Sequence, residues 1–159
     1  AIYSIELIEK RKEMKVTTKL RYGLRAMIEL ALNEGEVVLV KDIAEREGIS
    51  RKYLDSLLAE LKNAGLVRSI RGAKGGYTLA KPSDQISIDE IACALEGAPN
   101  LVDCVDDPSL CSRYEICIAN EFWKSLSEVM QNFLKKTTLA ELAKKARQKQ
   151  EQVAHMYYI

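Results

Sequence analysis

Residues 42–65 read DIAEREGISRKYLDSLLAELKNAG. A short helical pattern ends at Gly48, and Ser50 is a favourable N-cap for a second helix that runs to Gly65. The second helix places its apolar side chains on one face, at Leu54, Leu57, Leu58 and Leu61. Two short helices joined by a tight turn that contains glycine are typical of the helix-turn-helix motif.

The flanking segments extend this motif. Before it, helical spacing from Thr18 predicts a first helix, whose apolar positions are Leu20, Leu24, Met27, Ile28 and Ala31. After it, β-prone runs at 66–70 and 77–79 flank the basic turn RGAKGG, which predicts a hairpin. A hairpin in this place is a wing, so the sequence predicts a mainly α fold with a small β-hairpin wing, a winged helix-turn-helix.

The whole chain of 159 residues divides into six segments. They are residues 1–13, an N-terminal extension or artificial remnant; 14–82, the winged helix-turn-helix; 83–100, a connecting helix; 101–118, a loop that contains cysteines; 119–136, a long amphipathic helix; and 137–159, a C-terminal helix and tail. The long helix has an apolar stripe at Phe122, Leu126, Val129, Met130 and Phe133. Residues 144–152 are polar on all sides, and we expect that part of the last helix to fray.

The composition excludes several classes of protein. No run of 18 apolar residues and no secretory signal is present, which predicts a cytoplasmic protein with no membrane partner. The single histidine, His155, argues against most enzymes that need a catalytic histidine, and we expect neither catalysis nor a small-molecule substrate. Residues 15–81 contain 13 Lys or Arg against 8 Asp or Glu, whereas residues 82–134 contain 2 against 10. The basic first half predicts a polyanionic partner, and double-stranded DNA is the candidate.

The expected DNA contacts come from three places. The N-terminal end of the second motif helix would enter the major groove with Ser50, Arg51, Lys52, Tyr53 and Ser56. The wing would meet phosphates or the minor groove with Arg71, Gly72, Lys74, Gly75, Gly76 and Tyr77. The first helix would add phosphate contacts from Lys19 and Arg21, beside Arg25. The competing interpretation is a solvated basic surface on a winged helix that binds protein.

The cysteines suggest a second site. Cys93 lies in a helical pattern, where we expect a small buried hydrophobic residue. Cys104, Cys111 and Cys117 follow as C-x6-C-x5-C in an acidic segment, which favours a zinc or iron–sulfur site over a disulfide framework. Candidates for a fourth ligand are Asn120, Glu121, Glu115, a loop aspartate or a group from another subunit. A thiol–disulfide switch and an incidental group of cysteines are the alternatives.

Three motifs resemble the Rrf2 family of bacterial winged-helix regulators. They are MKVTTKLRYGLRAM at residues 14–27, DIAEREGIS at 42–50 with Tyr53 and Leu54, and LVRSIRGAKGGY at 66–77. The RG-x-x-GGY core is the most specific. The resemblance covers residues 14–159 and implies that Met14 is the natural start. It also implies a homodimeric repressor, built on helix 119–136, that binds a palindromic operator.

The resemblance also bears on the cysteines. Cys104, Cys111 and Cys117 match the three cluster cysteines of the IscR-like branch, which implies an iron–sulfur cluster that senses iron–sulfur or redox status, with 2Fe-2S favoured. That branch has a histidine three residues after the third cysteine, where this chain has Asn120. The NsrR-like variant is a 4Fe-4S cluster with a carboxylate from the other subunit's first helix, and at the matching position this chain has Arg21, which cannot serve as that ligand.

The C-terminal end of the sequence indicates an alternative function. The terminal sequence MYYI at 156–159 is similar to the end of the CymR-like branch, whose members lack these cysteines. The alternative function is therefore a CymR-like regulator of cysteine or sulfur metabolism, controlled by a partner protein or by thiol–disulfide switching without a cluster.

Overall fold

The computed structural model describes residues 16–97 and 101–157. The predicted extension at 1–13, the start at Met14, the end of the connecting segment at 98–100 and the last two residues of the tail lie outside these ranges. The helices are α1 (Thr18–Leu32), α2 (Val40–Glu47), α3 (Arg51–Asn63), α4 (Ile88–Glu96), α5 (Asp103–Asp106), α6 (Ile118–Lys136) and α7 (Leu139–Met156), and the strands are β1 (Val67–Ile70) and β2 (Gly76–Leu79). The predicted mainly helical fold with a two-stranded wing is confirmed.

The helix-turn-helix forms as the sequence predicts. Gly48 ends α2 with φ 61°, in the left-handed region that glycine adopts most easily. The hydroxyl of Ser50 accepts a hydrogen bond from the backbone N–H of Tyr53 at 3.3 Å and caps α3. The four leucines of α3 are fully buried and form the centre of the core with α1 and α4.

The wing has a third partner that the sequence does not reveal. Strands β1 and β2 pair antiparallel, with Val67 opposite Leu79 and Ile70 opposite Gly76. Val38, in the connection between α1 and α2, exchanges two backbone hydrogen bonds of 2.9 Å with Tyr77. A Cβ atom at Gly76 would collide with the carbonyl oxygen of Val38, so this close approach requires glycine. The base of the wing is therefore fixed to the helical core.

Helix α4 connects the DNA-binding unit to the rest of the chain. A full capping box begins it, because Ser87 and Glu90 each accept a hydrogen bond from the backbone N–H of the other. Leu95 packs so closely against Gly23 of α1 that a Cβ atom at Gly23 would overlap its Cδ1 atom. The expected burial of Cys93 is wrong: α4 buries Ile91, Ala92 and Leu95, and the intervening Cys93 is exposed.

The C-terminal half departs from the sequence predictions in two further places. The expected loop at 101–118 contains α5 and two short 3₁₀ turns, Pro108–Leu110 and Tyr114–Ile116. The expected fraying at 144–152 does not occur, since α7 is continuous to Met156. Packing against α1 explains this persistence, because Leu139 and Ala143 are buried and Arg147 donates to the carbonyl of Leu32. No helix within the described ranges is long and apolar enough to cross a membrane.

Candidate nucleic-acid interface and cysteine segment

The predicted base-reading residues of α3 fall into two groups. Arg51 and Lys52 are exposed at the N-terminal end of the helix, and neither has an ion-pair partner among the described residues. Ser50 is also exposed, but its hydroxyl caps the helix, and the Ser56 hydroxyl donates to the Tyr53 carbonyl at 2.7 Å. The Tyr53 ring is half-buried and packs edge-on against Tyr22, with ring centroids 6.1 Å apart. The two cations are thus the side chains of this end that are free of internal contacts.

The predicted wing residues also divide into exposed side chains without a partner and groups that serve the fold itself. Arg71 and Lys74 are exposed, with no carboxylate partner among the described residues. The amide of Gly75 donates to the carbonyl of Gly72 at 3.0 Å, so it serves the turn itself. The side chain of Tyr77 is half-buried, and burial raises the pKa of its hydroxyl, with a further contribution from Asp55. The tip of the wing therefore presents two cations on a turn whose base is rigid.

The basic residues of α1 are held by the protein itself. Lys19 Nζ lies 2.7 Å from Oε2 of Glu60 on α3, and this hydrogen bond raises the pKa of Lys19. Arg25 binds both the carboxylate and the carbonyl oxygen of Glu47 on α2. Arg21 is exposed beside the Tyr22 ring, with its guanidinium carbon 5.9 Å from the ring centroid. Of the three, Arg21 is the one without an ion-pair partner in the described part of the chain.

The three cysteines of the predicted cluster site are half-buried and not disulfide-bonded. Within residues 16–97 and 101–157, no set of three His, Cys, Asp or Glu side chains comes close enough to hold a metal ion. The donor set nevertheless suits iron–sulfur chemistry, because soft thiolates select such clusters. A shared site would require the segment between Cys104 and Cys117 to rearrange.

Asn120 is the predicted fourth-ligand candidate that the fold buries. Only 6% of Asn120 is exposed, and its Nδ2 atom donates to the carbonyl oxygen of Cys104 at 3.1 Å and to its sulfur at 3.4 Å. Its backbone N–H donates to the carbonyl of Cys117, the residue that precedes α6. Glu121 is exposed. The side-chain amide of Asn120 therefore donates hydrogen bonds to Cys104, and its backbone N–H donates to Cys117. Asn120 in this way links Cys104 to the start of α6.

The long helix α6 has an uncovered apolar face. Asn120 and Ser127 lie on the opposite face and are buried against the rest of the protein. The exposed apolar side chains are Ile118 (75%), Phe122 (59%), Leu126 (38%), Val129 (66%) and Phe133 (69%). A contiguous apolar patch of this kind usually marks an interaction surface.

Comparison with known proteins gives a consistent result. The family model described as Rrf2, iron-dependent transcriptional regulator, matches residues 16–145. The HTH-type transcriptional regulator CymR of Bacillus subtilis is 41% identical over 147 residues, which is 92% of this chain and 100% of that protein. The solved structure of CymR, the global cysteine regulator of B. subtilis, is 38% identical and has a TM-score of 0.69, covering 84% of this chain and 98% of that chain.

Regulators named IscR match with similar identity over a shorter part of the chain. The HTH-type transcriptional regulator IscR of Erwinia tasmaniensis is 40% identical over 131 residues, 81% of this chain and 78% of that protein. The structure of IscR from T. potens is 36% identical and has a TM-score of 0.70, covering 86% of this chain and 91% of that chain. These relatives are transcriptional regulators, so the expectation that the chain is not an enzyme is confirmed.

Proposed function

Because this chain belongs to the Rrf2 family of transcriptional regulators, we propose that it is a homodimeric repressor that binds a palindromic operator and responds to iron–sulfur or redox status. The observation that carries the DNA-binding part is the distribution of unpaired cations. Arg51, Lys52, Arg71 and Lys74 are exposed without carboxylate partners in the described ranges, whereas Lys19 and Arg25 are held by Glu60 and Glu47. These four cations lie on the two elements, α3 and the wing, with which a winged helix contacts DNA.

The uncovered face of α6 supports the homodimer. A second copy offers the same apolar face, and packing two such faces together removes five large side chains from water. A dimer would present two α3 helices to DNA, and their separation would set the spacing of the operator half-sites. The palindromic operator follows from that symmetry.

The cysteines would hold the sensor. Cys104, Cys111 and Cys117 supply three thiolates, and an iron–sulfur cluster, 2Fe-2S in the IscR-like form or 4Fe-4S in the NsrR-like form, would add chemistry that responds to oxidants and to iron supply. Asn120 would orient Cys104, since its amide already bonds to the sulfur and carbonyl of that residue. A hydrogen bond from a neighbouring side chain fixes the orientation of a metal ligand and tunes its basicity.

A signal from the cysteine segment would reach the DNA-binding unit through α4. The segment follows the C-terminal end of α4, where Glu96 accepts a hydrogen bond from the hydroxyl of Thr17, the N-cap of α1. Leu95 is in close contact with Gly23, six residues further along the chain in α1. An arrangement of the cysteine segment that favours one position of α4 would shift the population of dimers toward one spacing of the α3 helices.

One observation favours the CymR-like alternative. The three thiols are unpaired and partly exposed, as reversible oxidation of a thiol requires, and within the described residues they form no group that could hold a metal ion. The similarity to CymR is as extensive as that to IscR.

Anaerobic purification followed by iron and sulfide analysis distinguishes the two sensors. About two or about four irons and sulfides per chain support the 2Fe-2S or the 4Fe-4S form, and Cys111→Ala should then remove both colour and iron. Protein that contains neither iron nor sulfide, but whose DNA affinity changes on thiol oxidation, supports the CymR-like alternative. Salt-dependent binding to duplex DNA tests the regulator itself, because it is common to both.

A further inference from the structure

A polar recess of about 280 Å³ lies where the C-terminal end of α1 meets α2 and α7. Its lining residues are Glu29, Leu32, Asn33, Arg46, Arg147 and Gln150. Neither the predicted DNA contacts nor the cysteine segment includes any of them. The recess joins the first helix of the helix-turn-helix to the C-terminal helix.

The recess has a net positive charge. Glu29 is 94% buried, and its Oε2 atom accepts a hydrogen bond of 3.1 Å from Nη1 of Arg46, so these two charges offset each other. Arg147 makes one hydrogen bond, from Nη2 to the carbonyl of Leu32 at 3.4 Å, which is long for an N–H···O bond. No carboxylate within the described ranges pairs with Arg147. One guanidinium group at the recess is therefore left without a counter-ion.

We propose that this recess binds a small oxyanion, carboxylate or phosphate in kind, between Arg147 and Arg46. The guanidinium group offers several N–H donors in a planar fork that matches both kinds of oxyanion. Gln150, whose side chain has no hydrogen-bond partner among the described residues, adds an amide donor at the same recess. The volume is just below the usual range for ligand pockets, which suits a ligand of few non-hydrogen atoms.

A bound oxyanion would connect two parts of the fold. Arg46 belongs to α2 of the DNA-binding unit and Arg147 to α7, so a ligand held by both would stabilise the arrangement in which both line the recess. This route to the helix-turn-helix does not pass through the cysteines. The inference is therefore independent of whether the chain holds a cluster.

Isothermal titration calorimetry of the full chain tests the proposal, with phosphate, malonate and acetate as probes at constant ionic strength in a chloride background. We expect saturable binding of at least one probe, weakened at least fivefold in Arg147→Gln and to a smaller degree in Gln150→Ala. Lys145→Gln removes the same charge from an exposed residue on a different side of α7 and should leave binding unchanged. Both Arg147 and Gln150 are exposed, so their variants should fold.

Binding of a random DNA duplex to the same variants separates a free oxyanion from a phosphate of the DNA backbone. The proposal requires Arg147→Gln to bind duplex DNA with an unchanged salt dependence. Absence of saturable binding with all three probes, or equal binding by wild type and Arg147→Gln, overturns it. Loss of DNA affinity and a flatter salt dependence in Arg147→Gln, without binding of the free probes, would instead assign the recess to the DNA backbone.

Discussion

Lys19 Nζ lies 2.7 Å from Oε2 of Glu60, so a cation of α1 is bound to α3. Glu60 is 41 positions away in sequence, and the contact arises because α1 packs across α3. A cation that already has a partner gains less from a phosphate than one that has none. The wing cation Arg71, without a partner in the described ranges, is the stronger candidate for a backbone contact.

We therefore expect Arg71→Ala and Lys19→Gln to affect DNA binding differently. Arg71→Ala should weaken binding to a random duplex and lower the slope of log K against log salt by about 0.9, because one fewer counter-ion is released. Lys19→Gln should leave that slope unchanged. Fluorescence anisotropy at four or five salt concentrations gives both slopes, with Lys145→Ala as the control for a lost surface charge. An unchanged slope in Arg71→Ala would contradict a wing–phosphate contact.

Phe133→Glu should separate the proposed dimer. The side chain is 69% exposed in the single chain, so the change costs little in the monomer but places a charge in an apolar interface. Sedimentation velocity should show a shift from dimer to monomer, and far-ultraviolet circular dichroism should show retained helix. Lys124→Glu, on the other side of α6 and also exposed, is the matched control and should remain dimeric. A dimeric Phe133→Glu variant would mean that another surface joins the subunits.

More of the fold than of the candidate DNA-binding and cysteine sites could be predicted from the sequence. Leucine spacing in α3 and the glycine at position 48 determine local structure, so the helix-turn-helix was correctly predicted. The ion pairs of Lys19 and Arg25 depend on how helices pack, which no local pattern encodes. The persistence of α7 has the same origin, since Arg147 within its polar part donates to the carbonyl of Leu32 on α1.

Cys93 shows a different limit of sequence reasoning. The residues around it are apolar, and composition alone suggested burial. Helical periodicity assigns the inward face to Ile91, Ala92 and Leu95, which leaves Cys93 outside. Position on the helix, and not residue type, therefore determines the exposure of Cys93.

Glu90 should make the stability depend on acid pH. Burial raises the pKa of its carboxyl group, but hydrogen bonds from Lys81 and Ser87 outweigh that effect and hold the pKa below its ordinary value of 4.5. The contribution to stability is therefore present above pH 4.5 and is lost as the pH falls through the folded-state pKa. Glu90→Gln should lower the free energy of unfolding at pH 7 by less than about 1 kcal/mol, because the pair with Lys81 is partly exposed.

Urea unfolding of wild type and Glu90→Gln at pH 7, 5, 4 and 3 measures this dependence. The difference between the two proteins should shrink between pH 5 and pH 3. Glu45→Gln, at an exposed carboxylate with no partner among the described residues, should show no such convergence. A constant difference across the series would rule out titration of Glu90 as the cause.

Gly23→Ala should disturb the contact between α1 and α4. The new methyl group would overlap Cδ1 of Leu95, and overpacking of this kind costs about 1–3 kcal/mol. Leu95→Ala makes room for the methyl group, so the double variant should be more stable than the sum of the single effects predicts. Urea unfolding of the four proteins gives this coupling energy. Strict additivity would mean that the two helices adjust independently.

Asn120→Ala should release Cys104. The change removes the donor to the carbonyl oxygen and sulfur of Cys104, and leaving a buried partner unsatisfied costs about 1–3 kcal/mol. Because the segment that carries Cys104 is then held less firmly, its thiol should react faster with a maleimide. Mass spectrometry of the labelled peptides gives the rate for each cysteine in iron-free protein, so the result does not depend on a cluster.

Glu121→Ala is the control for this experiment, since Glu121 is adjacent, exposed and makes no side-chain hydrogen bond among the described residues. In the Glu121→Ala variant, all cysteines should react with the maleimide at the wild-type rates. Cys93 provides an internal reference in every sample, because it lies on α4, away from the Asn120 amide, and should keep its rate in both variants. A selective increase at Cys104 in Asn120→Ala supports the role of Asn120 in positioning that thiol. An equal increase at all four cysteines would show general loosening of the fold instead.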